Sequence, residues 1–316
     1  MLVLGIETSC DETSVAVVKD GRRIVSQAIA SSLSYHKQYG GIIPEIASRM
    51  HAEKIGFVTD TAIKQAGIKI KDIGLIAVTK EPGLASSLLV GISFAKALSF
   101  ALRKPLLNLD HIQAHLYAAF LEDKPIDLPF IGLVISGGHT CLFRVRDFRN
   151  MKLIGTTFDD ASGEAFDKVA KILHLGYPGG VAIENLVKGK NFKRIKFSCG
   201  KEVKGLNFSF SGIKTAVLYY TKARQIRSRD EIIDIAASFQ EAVVDVLIEK
   251  AFAACKKNKV NTLVLGGGVA ANSRLRERLS ELAIAEKIKV HFPPKWLCTD
   301  NAAMVAGLGY QLYKNY

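Results

Sequence analysis

The same order of strands, turns and helices occurs twice along this 316-residue chain. The first copy opens with apolar residues from Leu2 to Ile6, a polar turn, and a returning strand from Ser14 to Val18. The second opens with Phe130 to Ile135, the turn Ser136 to Thr140, and a strand from Cys141 to Val145. Apolar runs then alternate with helical stretches, which is typical of parallel strands joined by crossover helices. The sequence therefore predicts an α/β fold with an internal duplication.

The chain length and a proline-containing segment predict two domains. A chain of this size exceeds a usual single core, and Glu122 to Pro129 places two prolines among charged residues, as a linker does. We expect one domain over residues 1–125 and a second over residues 126–316. The second carries an insertion of helices and basic residues at about 158–230. Its last helix, Asn301 to Tyr313, is expected to pack back on the first domain.

Charge and cysteine content restrict the partners and the compartment. The 43 Lys and Arg exceed the 30 Asp and Glu, and the net charge of +13 favours a polyanionic partner, although a merely basic enzyme has the same balance. Five scattered cysteines without a Cys-x-x-Cys argue against a disulfide framework and indicate a reducing cytoplasm. The chain begins on strand residues, and Lys96 interrupts its most apolar helix, so we expect no membrane segment.

Two histidines four residues apart, His111 and His115, follow the helix N-cap Asp110. Helical spacing places both imidazoles on one face, where they can bind a metal ion, although ordinary helix histidines show the same spacing. A zinc protease carries Glu directly after the first histidine, whereas this chain has Ile112 there. Peptide hydrolysis by that route therefore lacks a base, and a metal site needs a further ligand from elsewhere.

Three turns combine glycine or hydroxyl residues with the end of a strand. They are Thr8 to Cys10, Ser136 to Gly138, and Gly266 to Asn272. Backbone N–H groups in such turns can bind phosphate, although each turn alone can also be purely structural. Together the three favour a nucleotide held in a cleft between two related domains.

An acidic helix is predicted between the second and third of these turns, from Asp159 to Val169. Helical spacing places Asp160, Glu164 and Asp167 on one face. This face is either solvated, or it offers carboxylates to ribose hydroxyls or to an amino acid ammonium group.

The most basic segment follows, and its cations are Lys188, Lys190, Lys193, Arg194 and Lys196. Phe192 and Phe197 are interleaved with them, and Phe208 and Phe210 flank the segment. Cations that neutralise phosphates and aromatic rings that stack on unpaired bases are typical of RNA contact. A solvated loop is the alternative interpretation.

Seven motifs occur in one order across essentially the whole chain. They are Tyr39 to His51, His111-x-x-x-His115, Ser136 to Thr140, Asp159 to Asp167, Phe208 to Gly212, Gly266 to Asn272 and Cys298 to Ala303. In these motifs the chain resembles the bacterial TsaD family, the tRNA threonylcarbamoyladenosine transferases once classed as glycoprotein endopeptidases. The resemblance implies the duplicated fold of actin, Hsp70 and the sugar kinases, which is ribonuclease H-like, with a nucleotide cleft between the domains.

The resemblance also implies a reaction. Members of the family transfer the threonylcarbamoyl group of threonylcarbamoyl-AMP to the exocyclic amine of the adenosine 3′ of the anticodon, and AMP is released. The acceptor tRNAs read codons that begin with adenine. A small-molecule kinase or ATPase of the same fold is one alternative, because a nucleotide cleft does not specify the acceptor. A metalloendopeptidase is the other.

Site residues follow from the same resemblance. Asp300 would complete a metal site with His111 and His115, and this ligand set suits Fe(II) first and zinc second. The adenylate would be bound by Val134, Ile135, Ser136, Gly137, Gly138, Asp167, Gly180, Glu184 and Asn272. This chain departs from the family pattern at Val181, where proline is frequent, and at Glu184, where relatives often have aspartate.

A purine exocyclic amine is a poor nucleophile, so catalysis has to polarise the carbamoyl carbonyl, neutralise the phosphate and orient the amine. We expect the metal and the Ser136 to Gly138 turn to bind the phosphate and carbonyl oxygens. Asp11 or Glu12 is the candidate acid/base or partner of a metal-bound water.

The implied partners are tRNA, the shortened paralogue TsaB, the ATPase TsaE, and a TsaC-type synthase that supplies the adenylate. The helices near Ile43 to Gln65 and Ala85 to Leu102 are the expected docking surfaces for TsaB. The implied location is the cytoplasm.

Overall fold

The computed structural model describes residues 1–121, 125–199, 203–224 and 228–314, so residues 122–124 of the predicted linker lie outside it. The chain divides into two compact units. Unit 1 comprises Met1–Ile126 and Pro293–Tyr316, and unit 2 comprises Asp127–Phe292. The second unit therefore ends before the chain does, whereas the predicted second domain ran to residue 316.

Unit 1 is built on a five-stranded sheet in the order β3-β2-β1-β4-β5. The strands are β1 (Leu2–Glu7), β2 (Glu12–Lys19), β3 (Arg23–Ser31), β4 (Leu75–Glu81) and β5 (Leu106–Asp110). The central strand β1 pairs antiparallel with β2 and parallel with β4. Its residues after Leu2 are all buried, as expected for a strand covered on both faces.

Among its described residues, unit 1 has five α-helices. They are α1 (Leu33–Lys37), α2 (Pro44–Ala66), α3 (Ala85–Leu102), α4 (His111–Tyr117) and α10 (Ala302–Tyr313). Helix α10 lies against β1 because Gly5 has no side chain; a Cβ there would overlap Ala302 and Ala306. Helix α3 is long and apolar enough to cross a membrane by its length and composition, but one face of it packs in the core of unit 1.

Unit 2 repeats this sheet. Its strands are β6 (Phe130–Ile135), β7 (Thr140–Asp147), β8 (Asn150–Thr156), β9 (Thr262–Gly266) and β10 (Lys289–His291), in the order β10-β9-β6-β7-β8. As in unit 1, the first strand is central, with an antiparallel meander on one side and parallel strands on the other. The predicted duplicated α/β fold is confirmed.

One helix of unit 2 starts later than predicted. The α-helices of this unit are α5 (Ser162–Ile172), α6 (Gly179–Val187), α7 (Ser211–Arg224), α8 (Arg229–Asn258) and α9 (Ser273–Glu286). Helix α5 begins at Ser162, so Asp159 and Asp160 precede the acidic helix rather than belonging to it. Helix α6 begins with two glycines, which are poor helix formers, so tertiary packing overrides that propensity.

Candidate functional site

The predicted metal ligands come together at the ends of two elements of unit 1. His111 and His115 lie on α4, and Asp300 lies just before α10. The Asp300 Oδ1 atom is 3.1 Å from Nε2 of His115 and 3.5 Å from Nε2 of His111. The ligand atoms of the three residues lie within 4.8 Å of one another. Two imidazoles and one carboxylate thus converge on one point.

The chemistry of this triad fits a metal cofactor. His115 is fully buried; among the described residues its Nδ1 atom has no hydrogen-bond partner, and its Nε2 atom has the 3.1 Å contact with Asp300. A buried polar atom without a partner costs about 1–3 kcal/mol, which a metal bond would offset. Burial lowers the pKa of His115, with the charge on His111 adding to the effect, and so favours the neutral form that binds metals.

The electrostatics of the triad also favour a cation. Burial alone would lower the pKa of His111, but the carboxylates of Asp300 and Glu7 raise it to about 9. The two carboxylates therefore favour a positive charge at this position. Glu7, which the sequence interpretation missed, is fully buried with Oε2 3.1 Å from Nδ1 of His111. The sequence signal that could have identified Glu7 is a carboxylate at the end of an otherwise apolar strand.

The two acid/base candidates lie in different surroundings. Asp11 is close to Asp300, since Cys10, Asp11 and Asp300 offer atoms within 4.8 Å of one another, and burial followed by the Asp300 charge raises the pKa of Asp11. The Glu12 carboxylate instead accepts a 2.8 Å hydrogen bond from Ser31 of β3. Burial raises the pKa of Glu12 to about 7, against the lowering effect of that bond.

The glycines of the unit 2 turns fall into two groups. Gly267 has φ +91°, and a Cβ there would overlap the backbone of Ile135, so the fold itself requires glycine. A Cβ on Gly137, Gly138 or Gly180 would meet nothing within 4 Å, and none of these residues has a positive φ. Because neither packing nor conformation demands glycine there, the open backbone is suited to close approach by a ligand.

The polar side chains predicted to contact the adenylate lie in unit 2 next to these turns. Asp167 on α5 accepts a 2.6 Å hydrogen bond from Gly179 N, and burial raises the pKa of Asp167 to about 6. Glu184 on α6 accepts from Ser273 N at 3.1 Å and from the Asn272 amide at 3.4 Å.

Asn272 has two further hydrogen bonds. Its side-chain oxygen accepts from Leu275 N at the start of α9, and its amide donates to Gln240 at 2.9 Å. The sequence interpretation missed Gln240, which lies inside a long helical pattern without a motif. Val134 and Ile135 are fully buried in β6. Ser136 begins the turn, where its hydroxyl accepts from His139 N at 3.1 Å.

Two predicted surface roles can be compared with the structure. Lys168 bonds Asp160 at 2.7 Å and Glu164 at 2.9 Å, so these carboxylates form ion pairs, and Glu164 is partly exposed to solvent. Phe208 and Phe210 are fully buried and stack on each other, so they cannot stack on bases.

The basic segment itself is exposed. The side chains of Lys188, Lys190, Lys193, Arg194 and Lys196 all reach solvent, in a stretch without regular secondary structure after α6. Arg194 pairs with Asp245 of α8 at 3.1 Å, and Lys193 N donates to Asp234 of the same helix at 2.7 Å. These contacts hold the segment against α8.

The sequence pattern of the family described as tRNA N6-adenosine threonylcarbamoyltransferase, TsaD, matches residues 23–307. The chain belongs to the TsaD family. A relative of that name from Caldicellulosiruptor saccharolyticus is 49% identical over 311 residues, which cover 98% of this chain and 92% of the relative. Another relative of the same name, from Thermosipho africanus, is 50% identical over 317 residues, which cover 99% of this chain and 95% of the relative. The predicted TsaD membership is confirmed.

Solved structures with lower identity show the fold of the TsaD chain. Component A of (R)-2-hydroxyglutaryl-CoA dehydratase from Acidaminococcus fermentans matches with a TM-score of 0.60 at 17% identity, covering 99% of each chain. A ROK hexokinase from Thermus thermophilus matches with a TM-score of 0.53 at 15% identity, covering 100% of this chain and 99% of the hexokinase. The predicted actin and sugar-kinase-like fold is confirmed.

Proposed function

We propose that this chain transfers the threonylcarbamoyl group of threonylcarbamoyl-AMP to N6 of the adenosine 3′ of the anticodon, in tRNAs that read codons beginning with adenine, and that AMP is released. The observation that carries the proposal is the identity of about half the residues with threonylcarbamoyltransferases over nearly the whole chain. The same observation favours the transferase over the kinase, ATPase and metalloendopeptidase alternatives.

His111, His115 and Asp300 would hold one divalent metal, Fe(II) first and zinc second, by the preference of two imidazoles and one carboxylate. When bound, the metal supplies a Lewis acid. The residues themselves present one carboxylate and two buried imidazoles. The convergence of these side chains and the orphaned Nδ1 atom of His115 support this assignment.

The adenylate would bind in unit 2. Backbone N–H groups of Gly137 and Gly138 would donate to the phosphate, which suits their open surroundings. Ser136 would contribute its hydroxyl, because its N–H already donates to His139 O at 2.8 Å. Asp167 and Glu184 would accept hydrogen bonds from ribose hydroxyls, and the Asn272 amide would be oriented by Gln240. Val134 and Ile135 would contribute through their backbone, because their side chains are buried in β6.

Asp11 or Glu12 would accept the proton that the adenosine amine loses as it attacks. A general base works best with a pKa near the operating pH, and the pKa of Glu12, about 7, meets that condition. A base must also lie close to the reacting groups, and Asp11 lies close to the metal ligand Asp300. The two are alternatives for one role.

Contact with tRNA would use the exposed segment Lys188, Lys190, Lys193, Arg194 and Lys196. The partner proteins would be TsaB, TsaE and a TsaC-type synthase, and the reaction would take place in the cytoplasm. TsaB would dock on α2 and α3, because these helices expose the apolar side chains Phe57, Leu89 and Phe100 to solvent.

A labelled-threonine assay tests the proposal. The adenylate is made from radioactive threonine and offered with this chain, its partners and tRNA that reads codons beginning with adenine. We expect label in that tRNA and none in the same tRNA with guanosine 3′ of the anticodon. Absence of label in tRNA, together with ATP-dependent phosphorylation of a small metabolite, would instead establish the kinase alternative.

A further inference from the structure

Glu7, the last residue of β1, has a fully buried carboxylate, and both of its oxygens accept hydrogen bonds. Its Oε1 atom accepts from Ser9 N at 2.7 Å, and its Oε2 atom accepts from the Thr79 hydroxyl at 2.6 Å. Oε2 also lies 3.1 Å from Nδ1 of His111. The opposite nitrogen of that ring, Nε2, faces Asp300. Glu7 thus lies behind the metal triad, against a histidine of the triad.

We propose that Glu7 is a positioning residue that selects which nitrogen of His111 binds the metal. An ionised carboxylate can only accept hydrogen bonds, so the nitrogen that faces Glu7 has to carry a proton. When the ring is neutral, Nε2 then bears the lone pair, and it points toward Asp300 and His115. Carboxylates behind metal-binding histidines fix ring orientation and tautomer in this way. The inference rests on the proposed metal site.

Ser9 is a neighbour of the same nitrogen but cannot replace Glu7. Its hydroxyl lies 3.3 Å from Nδ1 of His111, and a hydroxyl either donates or accepts. It is therefore compatible with both tautomers of the ring. Only the carboxylate discriminates between them.

A purely structural role for Glu7 makes a different prediction. Ser9 belongs to the turn after β1, and Thr79 belongs to β4, so the carboxylate also joins these two elements. If joining them were its whole purpose, removal of the Thr79 bond would affect the metal site about as much as a change at Glu7. Thr79→Val removes that bond with little change in side-chain size and leaves the His111 contact in place.

Glu7→Gln is the informative change because it keeps the shape of the side chain but replaces one accepting oxygen by a donating NH₂ group. If the amide nitrogen replaces Oε2, it donates to Nδ1 of His111, and the ring proton is forced onto Nε2, where the metal has to bind. If the nitrogen replaces Oε1, it faces the N–H of Ser9, donor against donor. Each orientation therefore conflicts with one of the present contacts.

Metal titration of the purified full chain tests the proposal without tRNA or adenylate. We expect Glu7→Gln to bind Co²⁺ about 10- to 100-fold more weakly than the original chain, the range found for changes behind metal ligands, and Thr79→Val to change the affinity less than threefold. Circular dichroism melting of the metal-free variants shows that both are folded.

A second measurement reports the tautomer directly. In the ¹⁵N-histidine-labelled, Zn²⁺-saturated chain, we expect a slowly exchanging Nδ1 proton of His111. Its signal is assigned by its loss in His111→Ala. In Glu7→Gln this signal should be absent or strongly shifted. Equal Co²⁺ affinities of the original chain and Glu7→Gln would overturn the role of Glu7. Equal weakening in Thr79→Val would do the same. Transfer to tRNA is not read in either measurement, so failure of the proposed reaction would be distinguishable.

Discussion

His115 is completely buried, and among the described residues its Nδ1 atom has no hydrogen-bond partner, while its Nε2 atom lies 3.1 Å from Asp300. Helical spacing aligns it with His111, but the burial comes from packing in unit 1, and the carboxylate opposite it is contributed by residue 300. At the scale of single residues, the triad is therefore a product of both local spacing and tertiary packing.

Changes in the triad are expected to remove the metal. We expect His111→Ala and Asp300→Ala to reduce bound metal from about one ion per chain to nearly none, because two remaining donors do not complete a site. Inductively coupled plasma spectrometry after purification measures it. His174→Asn is the control, since His174 is exposed and its φ of 55° suits asparagine. Full metal content in either triad variant would contradict the site.

The pH dependence of transfer distinguishes Glu12 from Asp11. If Glu12 is the base, kcat/KM should rise with pH and level off above about 7, because the carboxyl is protonated below its pKa. Glu12→Gln should lower kcat about 10²- to 10⁴-fold and abolish this ionisation. Asp11→Asn is the comparison, and a retained pH profile in Glu12→Gln would move the role to Asp11.

The raised pKa of Glu12 also affects stability. The folded chain binds this proton more tightly than the unfolded chain, whose glutamate titrates near 4.5, so the free energy of unfolding should fall as pH rises from about 4.5 to about 7. Urea unfolding at several pH values measures it. Glu12→Gln should make this part of the pH profile flatter, and an unchanged profile would argue against a buried ionisable group there.

At the scale of elements, the start of α6 places two adjacent glycines in opposite surroundings. A Cβ on Gly179 would lie 2.5 Å from the Asp167 Cα atom, whereas a Cβ on Gly180 would meet nothing within 4 Å. The first glycine lets α6 approach α5, and the second leaves the backbone open. Sequence alone cannot separate them, because the difference lies in what packs against each.

This contrast predicts different outcomes for two neighbouring alanine variants. Gly179→Ala should destabilise the chain by about 1–3 kcal/mol, because the new methyl group overlaps backbone. Gly180→Ala should leave the free energy of unfolding within about 0.5 kcal/mol and weaken binding of AMP instead. Thermal unfolding and calorimetric AMP titration test the pair, and equal stability losses would refute the assignment.

The exposed basic segment makes a prediction about salt. Replacing Lys190, Lys193 and Arg194 together by Gln should weaken tRNA binding and reduce the slope of log affinity against log salt by about 2–3, since each lost phosphate contact removes about 0.7–0.9. The charge-matched control replaces Lys152, Lys171 and Lys257, which are also exposed. An unchanged slope in the first variant would show that the segment does not contact tRNA.

At the scale of the whole molecule, helices α2 and α3 of unit 1 expose apolar side chains to solvent. Phe100 on α3 is 88% exposed. Phe100→Asp should abolish binding of TsaB, because a charge would have to be buried in the interface. Ile284→Asp on α9 is the control, since Ile284 is 81% exposed in unit 2. Pull-down with purified TsaB tests both, and retained binding in Phe100→Asp would exclude this surface.

The sequence predicted more of the fold than of the site. Periodicity and the restart after the linker predicted both sheets, because buried parallel strands and amphipathic helices leave local patterns. Motif order was enough to identify the TsaD family. The early start predicted for the acidic helix was wrong, because α5 begins at Ser162.

The site depended more on tertiary structure. Sequence alone determined that His111 and His115 share a helix face, since that follows from four-residue spacing. The family resemblance implied Asp300 as the third ligand, but only the fold shows that it faces the two histidines, that Glu7 lies behind His111, and that Phe208 is buried. The physical reason is that burial and contacts between distant residues depend on how the sheet and helices of each unit pack. No local pattern of residues carries that information.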